Sequence, residues 1–216
     1  MSNRKGIRQQ VCEVGQRLYQ SGFAAANDGN ISVRLSEDRI LTTPTGVSKG
    51  SLTPDMLVEV DLAGKVLVGD RLPSSELKMH LRIYAERPDV GAVVHAHPPY
   101  ATAFAITGQP LNEPVIAEAV VTVGPIALAP YATPSTAAVA DSIAPFLADH
   151  DAILLSNHGA LTYGHDLTSA HFRMESLEFY ARLLALSRQL GQPRVLSAEQ
   201  VAELRTLRER MQGARK

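Results

Sequence analysis

The chain reads as an α/β or α+β protein with one central, mostly antiparallel sheet packed between helices. Three observations predict this. Pairs of short strands separated by turn residues fill residues 31–68, a pattern that favours hairpins. Helical periodicity covers residues 3–20 and returns from residue 74 onward. Two apolar runs, Ala92–Val94 and Ala152–Leu155, are short and read as buried strands.

Each element has a local cause. Ile7, Val11, Val14 and Leu18 share one helical face, so residues 3–20 form an amphipathic helix that Ser21-Gly22 ends. Asn27-Asp28-Gly29-Asn30 favours a turn and positive φ. Ile31–Leu35 and Arg39–Thr43 alternate apolar and polar residues and predict a hairpin, with Thr43-Pro44-Thr45-Gly46 a tight loop after it. Leu57–Asp61 and Lys65–Val68 predict a second pair of strands around Ala63-Gly64. Pro73-Ser74-Ser75-Glu76 opens a helix with a serine cap, and Leu77, Leu81 and Tyr84 continue its apolar face. Residues 99–107 read as a short helix, Val120–Val123 and Ile126–Leu128 as strands, and Thr136–Leu147 as a helix. Ala152–Leu155 leads into Ser156-Asn157-His158-Gly159, a strand at Leu161–Tyr163 and a long helix over Leu167–Leu190. Ser197 with Gln200 is the capping box of a last helix. No repeat or linker interrupts the chain, so residues 1–216 are expected to form one domain.

Composition excludes several classes. The 216 residues are 45% hydrophobic and 20% charged, with a net charge of -1, so no global field selects nucleic acid or membrane. Arg205, Arg208, Arg210, Arg215 and Lys216 are basic, but acids interleave them and a solvated helix face accounts for them. Cys12 is the single cysteine, which rules out an internal disulfide and cysteine-rich zinc modules; a small buried apolar role suits it. Neither a signal-peptide core nor a membrane span is present, and a cytoplasmic location is expected.

Chemistry concentrates in a few loops. Val93-Val94-His95-Ala96-His97 ends in two histidines separated by one residue, and Pro98-Pro99 stops regular structure. In extended backbone, residues i and i+2 point to one side, so His95 and His97 suit half of a metal site. Alone, the commoner reading is two ordinary histidines near a strand end. Ala152–Leu155 repeats the design and delivers His158-Gly159 to a loop; three imidazoles with an open position describe a catalytic zinc site. A lone His158 is otherwise a turn residue. His80, His150, His165 and His171 are read as structural. Ser74-Ser75-Glu76 offers two hydroxyls and free N–H groups to a phosphate, or is ordinary cap chemistry. The loops Asn27–Asn30 and Thr43–Gly46 let backbone approach an anion closely, or are simply turns.

These signals also form one ordered set. GNIS at 29–32, PTG at 44–46, SSE at 74–76, HAH at 95–97 and NHG at 157–159 resemble the class II aldolase/adducin-head family, over a span from the first helix to about residue 190 that includes Pro130-Tyr131-Ala132-Thr133. The resemblance implies a three-layer α/β/α fold with a central, mostly antiparallel sheet, assembled as a homotetramer with sites at subunit boundaries. It implies Zn²⁺ (or another divalent transition metal) on His95, His97 and His158, with Glu76 as resting fourth ligand and acid/base. Gly29, Asn30, Thr45, Gly46, Ser74 and Ser75 would hold the phosphate of dihydroxyacetone phosphate. The implied reaction is reversible cleavage of a ketose 1-phosphate, of the L-fuculose or 5-deoxypentulose type, to dihydroxyacetone phosphate and an aldehyde through a metal-stabilised enediolate.

Two departures and three rivals qualify the expectation. Family aldolases use tyrosines of a neighbouring subunit at the aldehyde, whereas this chain has Ile116 and Glu118 nearby and Tyr180 as its last tyrosine. Glu118 or Tyr100 is therefore expected to border the aldehyde pocket. Asn27 replaces a threonine at the phosphate loop. Sugar-phosphate 4-epimerases of the superfamily carry Asp where Glu76 stands, which favours the aldolase. Phosphorylated 3-oxo-acid decarboxylases share the intermediate and stay open. A non-catalytic adducin-head-like binding module predicts missing ligands, and these are present.

Overall fold

The computed structural model describes residues 2–213; Arg215 and Lys216 lie outside them. In chain order the elements are α1 (Ser2–Gln20), β1 (Asn30–Ser36), β2 (Arg39–Thr42), β3 (Val58–Val60), β4 (Val66–Val68), α2 (Leu77–Glu86), β5 (Ala92–Ala96), α3 (Pro99–Thr107), β6 (Ile126–Ala129), α4 (Ala137–Ile143), β7 (Ala152–Leu155), β8 (Gly159–Gly164), α5 (Leu167–Leu190) and α6 (Ala198–Gly213). The strands form one sheet in the order β4-β3-β2-β1-β5-β8-β7-β6. Every pair is antiparallel except β6 with β7. The fold is α/β, with a central, mostly antiparallel sheet flanked by helices.

Strand alternation builds two cores. Ala92, Val94 and Ala96 of β5 pack with Val11 and Leu18 of α1, Phe104 of α3 and Met174, Leu177 and Leu184 of α5. Val93, one residue out of phase, packs on the other face with Met79 and Ile83 of α2 and Val139 and Ile143 of α4. Both faces of β5 and β7 are buried, which is why these strands read as continuous apolar runs. Cys12 is buried and unpaired, and burial pushes its thiol up.

Three local expectations change. Residues 119–123 form one π-helical turn, not a strand; it closes at Gly124, where φ is 79° and the N–H bonds to Ala119 O. A short apolar run carries no periodicity to separate these outcomes. The helix expected over Thr136–Leu147 stops at Ile143 and continues as a 3₁₀ turn, Ala144–Phe146, because Pro145 withholds an N–H. The helix expected to open at Ser74 begins at Leu77, with Glu76 as its cap residue. The preceding turn is held elsewhere: Ser74 N–H bonds to Thr43 O, and Pro73 forms an isolated bridge with Pro44. The Ser197–Gln200 box forms as expected, each side chain accepting the other's backbone N–H.

Candidate metal centre

The site lies at one end of the three adjacent strands β1, β5 and β8. His95 sits within β5, paired with Asn30 of β1 and Leu161 of β8. His97 follows the strand end, its N–H held by Phe23 O at 2.7 Å. His158 occupies the β7–β8 turn, where its N–H bonds to Leu155 O at 3.0 Å and Asn157 takes a left-handed φ of 56°. The three imidazoles converge, with ring centroids 4.7–5.2 Å apart and one ring nitrogen of each within 4.8 Å of the others. Gly159 makes this packing possible. A Cβ there would stand 2.5 Å from His97 Cδ2 and 2.6 Å from Ala96 O.

Glu76 enters from the start of α2. Its two oxygens lie 3.2 Å from His95 Nε2 and 3.2 Å from His158 Nε2, and Asn30 Nδ2 donates to Oε2 at 3.0 Å. Burial pushes this carboxyl up, but His95 and His158 outweigh it and hold it far below the usual carboxylate range. His97 is pushed down to about 4 by burial and by the charges of His95 and His158.

The donor set fits a divalent cation. His95 Nδ1 lies 2.9 Å from Ala160 O, an acceptor only, so Nδ1 carries a proton and Nε2 is the nitrogen turned into the site, the one a cation would take in place of a proton. That nitrogen faces Glu76 Oε2 at 3.2 Å, a contact that either a proton on the imidazole or a cation held between the two groups satisfies. His97 repeats the logic: Nδ1 faces Asp28 Oδ2 at 3.4 Å, while Nε2 is buried without a hydrogen-bond partner. A carboxylate behind a ligand imidazole fixes its tautomer and raises its basicity.

The phosphate candidates gather beside this cluster. Gly29 has a φ of 72°, and a Cβ there would stand 2.8 Å from His95 O. Thr45 N–H bonds to Leu72 O at 3.0 Å, so the loop bearing Thr45 and Gly46 is tied to the segment entering Ser74. Ser74 Oγ accepts the Glu76 N–H at 3.3 Å. Ser75 Oγ accepts from Ser135 Oγ at 2.9 Å. Gly29→Ala is expected to cost about 1–3 kcal/mol of stability and to lower bound metal per chain, because relief of the clash pushes β1 from β5. Gly46→Ala, with a φ of 72° and open space around it, should cost about 1–2 kcal/mol of backbone strain and leave metal content unchanged. Urea unfolding with metal analysis checks both.

Other residues belong to the same end of the fold without a signal of their own in the chain. Ser135 carries a φ of 66° and contacts Ser75; with Ala26 and Asn157 it completes the non-glycine residues of positive φ among those described, all in loops at this end. His80, read as structural, is 1% exposed; its Nδ1 meets Ser32 Oγ at 2.7 Å, and burial pushes it down to about 3. The two aldehyde-pocket candidates both border α5. Glu118 lines a cavity of about 200 Å³ with Glu175, Ser176 and Phe179 of α5. The Tyr100 ring lies under the Arg182 guanidinium, 5.7 Å from its centroid.

Residues 9–185 match the family model for the class II aldolase and adducin N-terminal domain. The chain is 33% identical to a 3-oxo-tetronate 4-phosphate decarboxylase of Pectobacterium atrosepticum, covering 94% of both chains. It is 33% identical to a 5-deoxy-D-ribulose 1-phosphate aldolase of Bacillus thuringiensis, over 91% of this chain and 92% of that one. A solved structure of L-fuculose 1-phosphate aldolase superposes with a TM-score of 0.86 at 31% identity, covering 93% of this chain and 95% of that one. Class II aldolases are metal-dependent, and among the described residues no helix is long and apolar enough to cross a membrane. Family model, relatives and sheet topology agree: the chain belongs to the class II aldolase and adducin N-terminal domain family.

Proposed function

We propose that the protein is a metal-dependent aldehyde-lyase that reversibly cleaves a ketose 1-phosphate to dihydroxyacetone phosphate and an aldehyde. The observation that carries the reading is the placement of Glu76, an acid/base group set between two imidazoles of a metal-fitting cluster and held by Asn30. His95, His97 and His158 would hold the ion, Zn²⁺ in the first place, with Glu76 as a resting ligand. The ion, when bound, supplies Lewis-acid stabilisation for the charge of an enediolate. In the condensation direction Glu76 takes a proton from the carbon of dihydroxyacetone phosphate beside the ketone; in cleavage, once the carbon–carbon bond has broken and the aldehyde has left, it gives that proton to the enediolate carbon. Asn30 keeps that carboxylate oriented. Gly29, Thr45, Gly46, Ser74 and Ser75 bind the phosphate through N–H groups and hydroxyls, which places the reacting carbons against the base.

The enzyme is expected to work in the cytoplasm on phosphorylated sugars, as a homotetramer in which a neighbouring subunit closes the aldehyde side. A second reading, decarboxylation of a phosphorylated 3-oxo acid, is favoured by the names of relatives such as the Pectobacterium enzyme. Incubation of metal-loaded protein with dihydroxyacetone phosphate and an aldehyde panel should give condensation products. The same preparation given a 3-oxo-tetronate 4-phosphate should release no CO₂ above the metal-free rate. CO₂ release without condensation reverses the assignment.

A further inference from the structure

Lys49 is 1% exposed, although lysine is almost never fully buried without a partner. It opens the 3₁₀ turn Lys49–Ser51, capped by Ser48, and lies against α1. Its Nζ donates to two carbonyls, Asn27 O at 2.9 Å and Val47 O at 2.6 Å. Asn27 stands two residues before Gly29, and Val47 directly follows Gly46. One ammonium thus fastens together the two glycine-bearing loops beside the metal cluster.

Among the described residues no carboxylate bonds to this ammonium, whose two partners are neutral carbonyls. Among the described residues, Asp28 is the acid whose field reaches Lys49, and that carboxylate faces His97 Nδ1 at 3.4 Å. Burial pushes the ammonium down to about 8, opposed by Asp28. Two neutral carbonyls satisfy two of its three N–H donors, and a buried cation costs free energy unless an opposite charge answers it.

We propose that Lys49 is a positioning residue for an anionic substrate: it clamps the Asn27–Gly29 segment to the Gly46–Val47 segment, and a phosphate dianion in the cradle between them balances its charge. This rests on the phosphate reading of Gly29, Thr45 and Gly46 given above. The lysine acts through the loops and through its field. Metal binding and proton transfer do not depend on it.

Inorganic phosphate is the probe, titrated calorimetrically into metal-loaded protein, because its binding requires no turnover. Lys49→Met should weaken phosphate roughly tenfold or more, and Lys49→Arg should restore most of the loss. Both variants should keep the native metal content. With a ketose 1-phosphate, Lys49→Met should raise KM and leave kcat little changed. A purely structural lysine would instead lower thermal stability while folded Lys49→Met bound phosphate as tightly as the native protein; that result overturns the proposal, as does native protein that binds no phosphate. If Lys49→Met fails to fold, the ¹⁵Nζ resonance of Lys49 in the native protein decides: it moves on phosphate addition, or the proposal falls. Phosphate binding that needs Lys49 but comes without aldol turnover would refute the function proposed above and leave the clamp standing.

Discussion

His95→Ala is expected to abolish metal retention and turnover together in a chain that still folds. The imidazole is fully buried, and its Nδ1–H is fixed on Ala160 O, so no solvent molecule reproduces its lone pair at Nε2. The loss of metal affinity should exceed the ~10–100-fold typical when only a group behind a ligand is removed. The fold should tolerate the change. β5 keeps its backbone pairing to β1 and β8, which does not depend on the side chain. Losing one buried hydrogen bond costs about 1–3 kcal/mol, or several degrees in Tm for a chain of this size. Metal analysis, circular dichroism and the condensation assay test this in one preparation. Turnover by metal-free, folded His95→Ala protein would sink the mechanism.

Glu76→Gln should separate binding from chemistry. The amide keeps the shape of the carboxylate, and its oxygen can still accept from Asn30 Nδ2, now 3.0 Å from Oε2. It cannot take a proton, so kcat should fall by about 10²–10⁴-fold, the usual worth of a positioned acid/base group. Phosphate affinity should stay near native, since Gly29, Thr45, Gly46, Ser74 and Ser75 are untouched. The direct readout is deuterium uptake from solvent into the carbon-bound position of dihydroxyacetone phosphate, followed by NMR without any aldehyde. Native rates of exchange in Glu76→Gln would assign the proton to another group.

Much of this was legible in the chain, for identifiable reasons. His95 and His97 end a short apolar run that Pro98-Pro99 stops, and the β7 run delivers His158 to a turn in the same way. Turn-forming Gly29 and Gly46 announce positive φ. The misreadings share another origin. Ser74 looked like a helix cap because serine caps are common, yet its backbone is committed to Thr43, thirty-one residues earlier. The π turn at Ala119–Val123 leaves no periodic trace. Lys49 and Ser135 carry no signal of their own in the chain. Their surroundings come from segments distant in sequence, and no local pattern reports that.

The placement of the imidazoles on neighbouring central strands has a consequence for how the molecule reaches its final state. His95 and His158 are separated by the whole length of chain that forms α3, β6, α4 and β7, and they meet only when β5 has zipped onto β8. Of the three imidazoles, an unfolded chain keeps only His95 and His97 close together, so the complete ligand set exists only in the finished sheet and a bound ion would favour that state. Free metal therefore acts on the folding equilibrium by mass action, and the population of finished molecules should track its concentration.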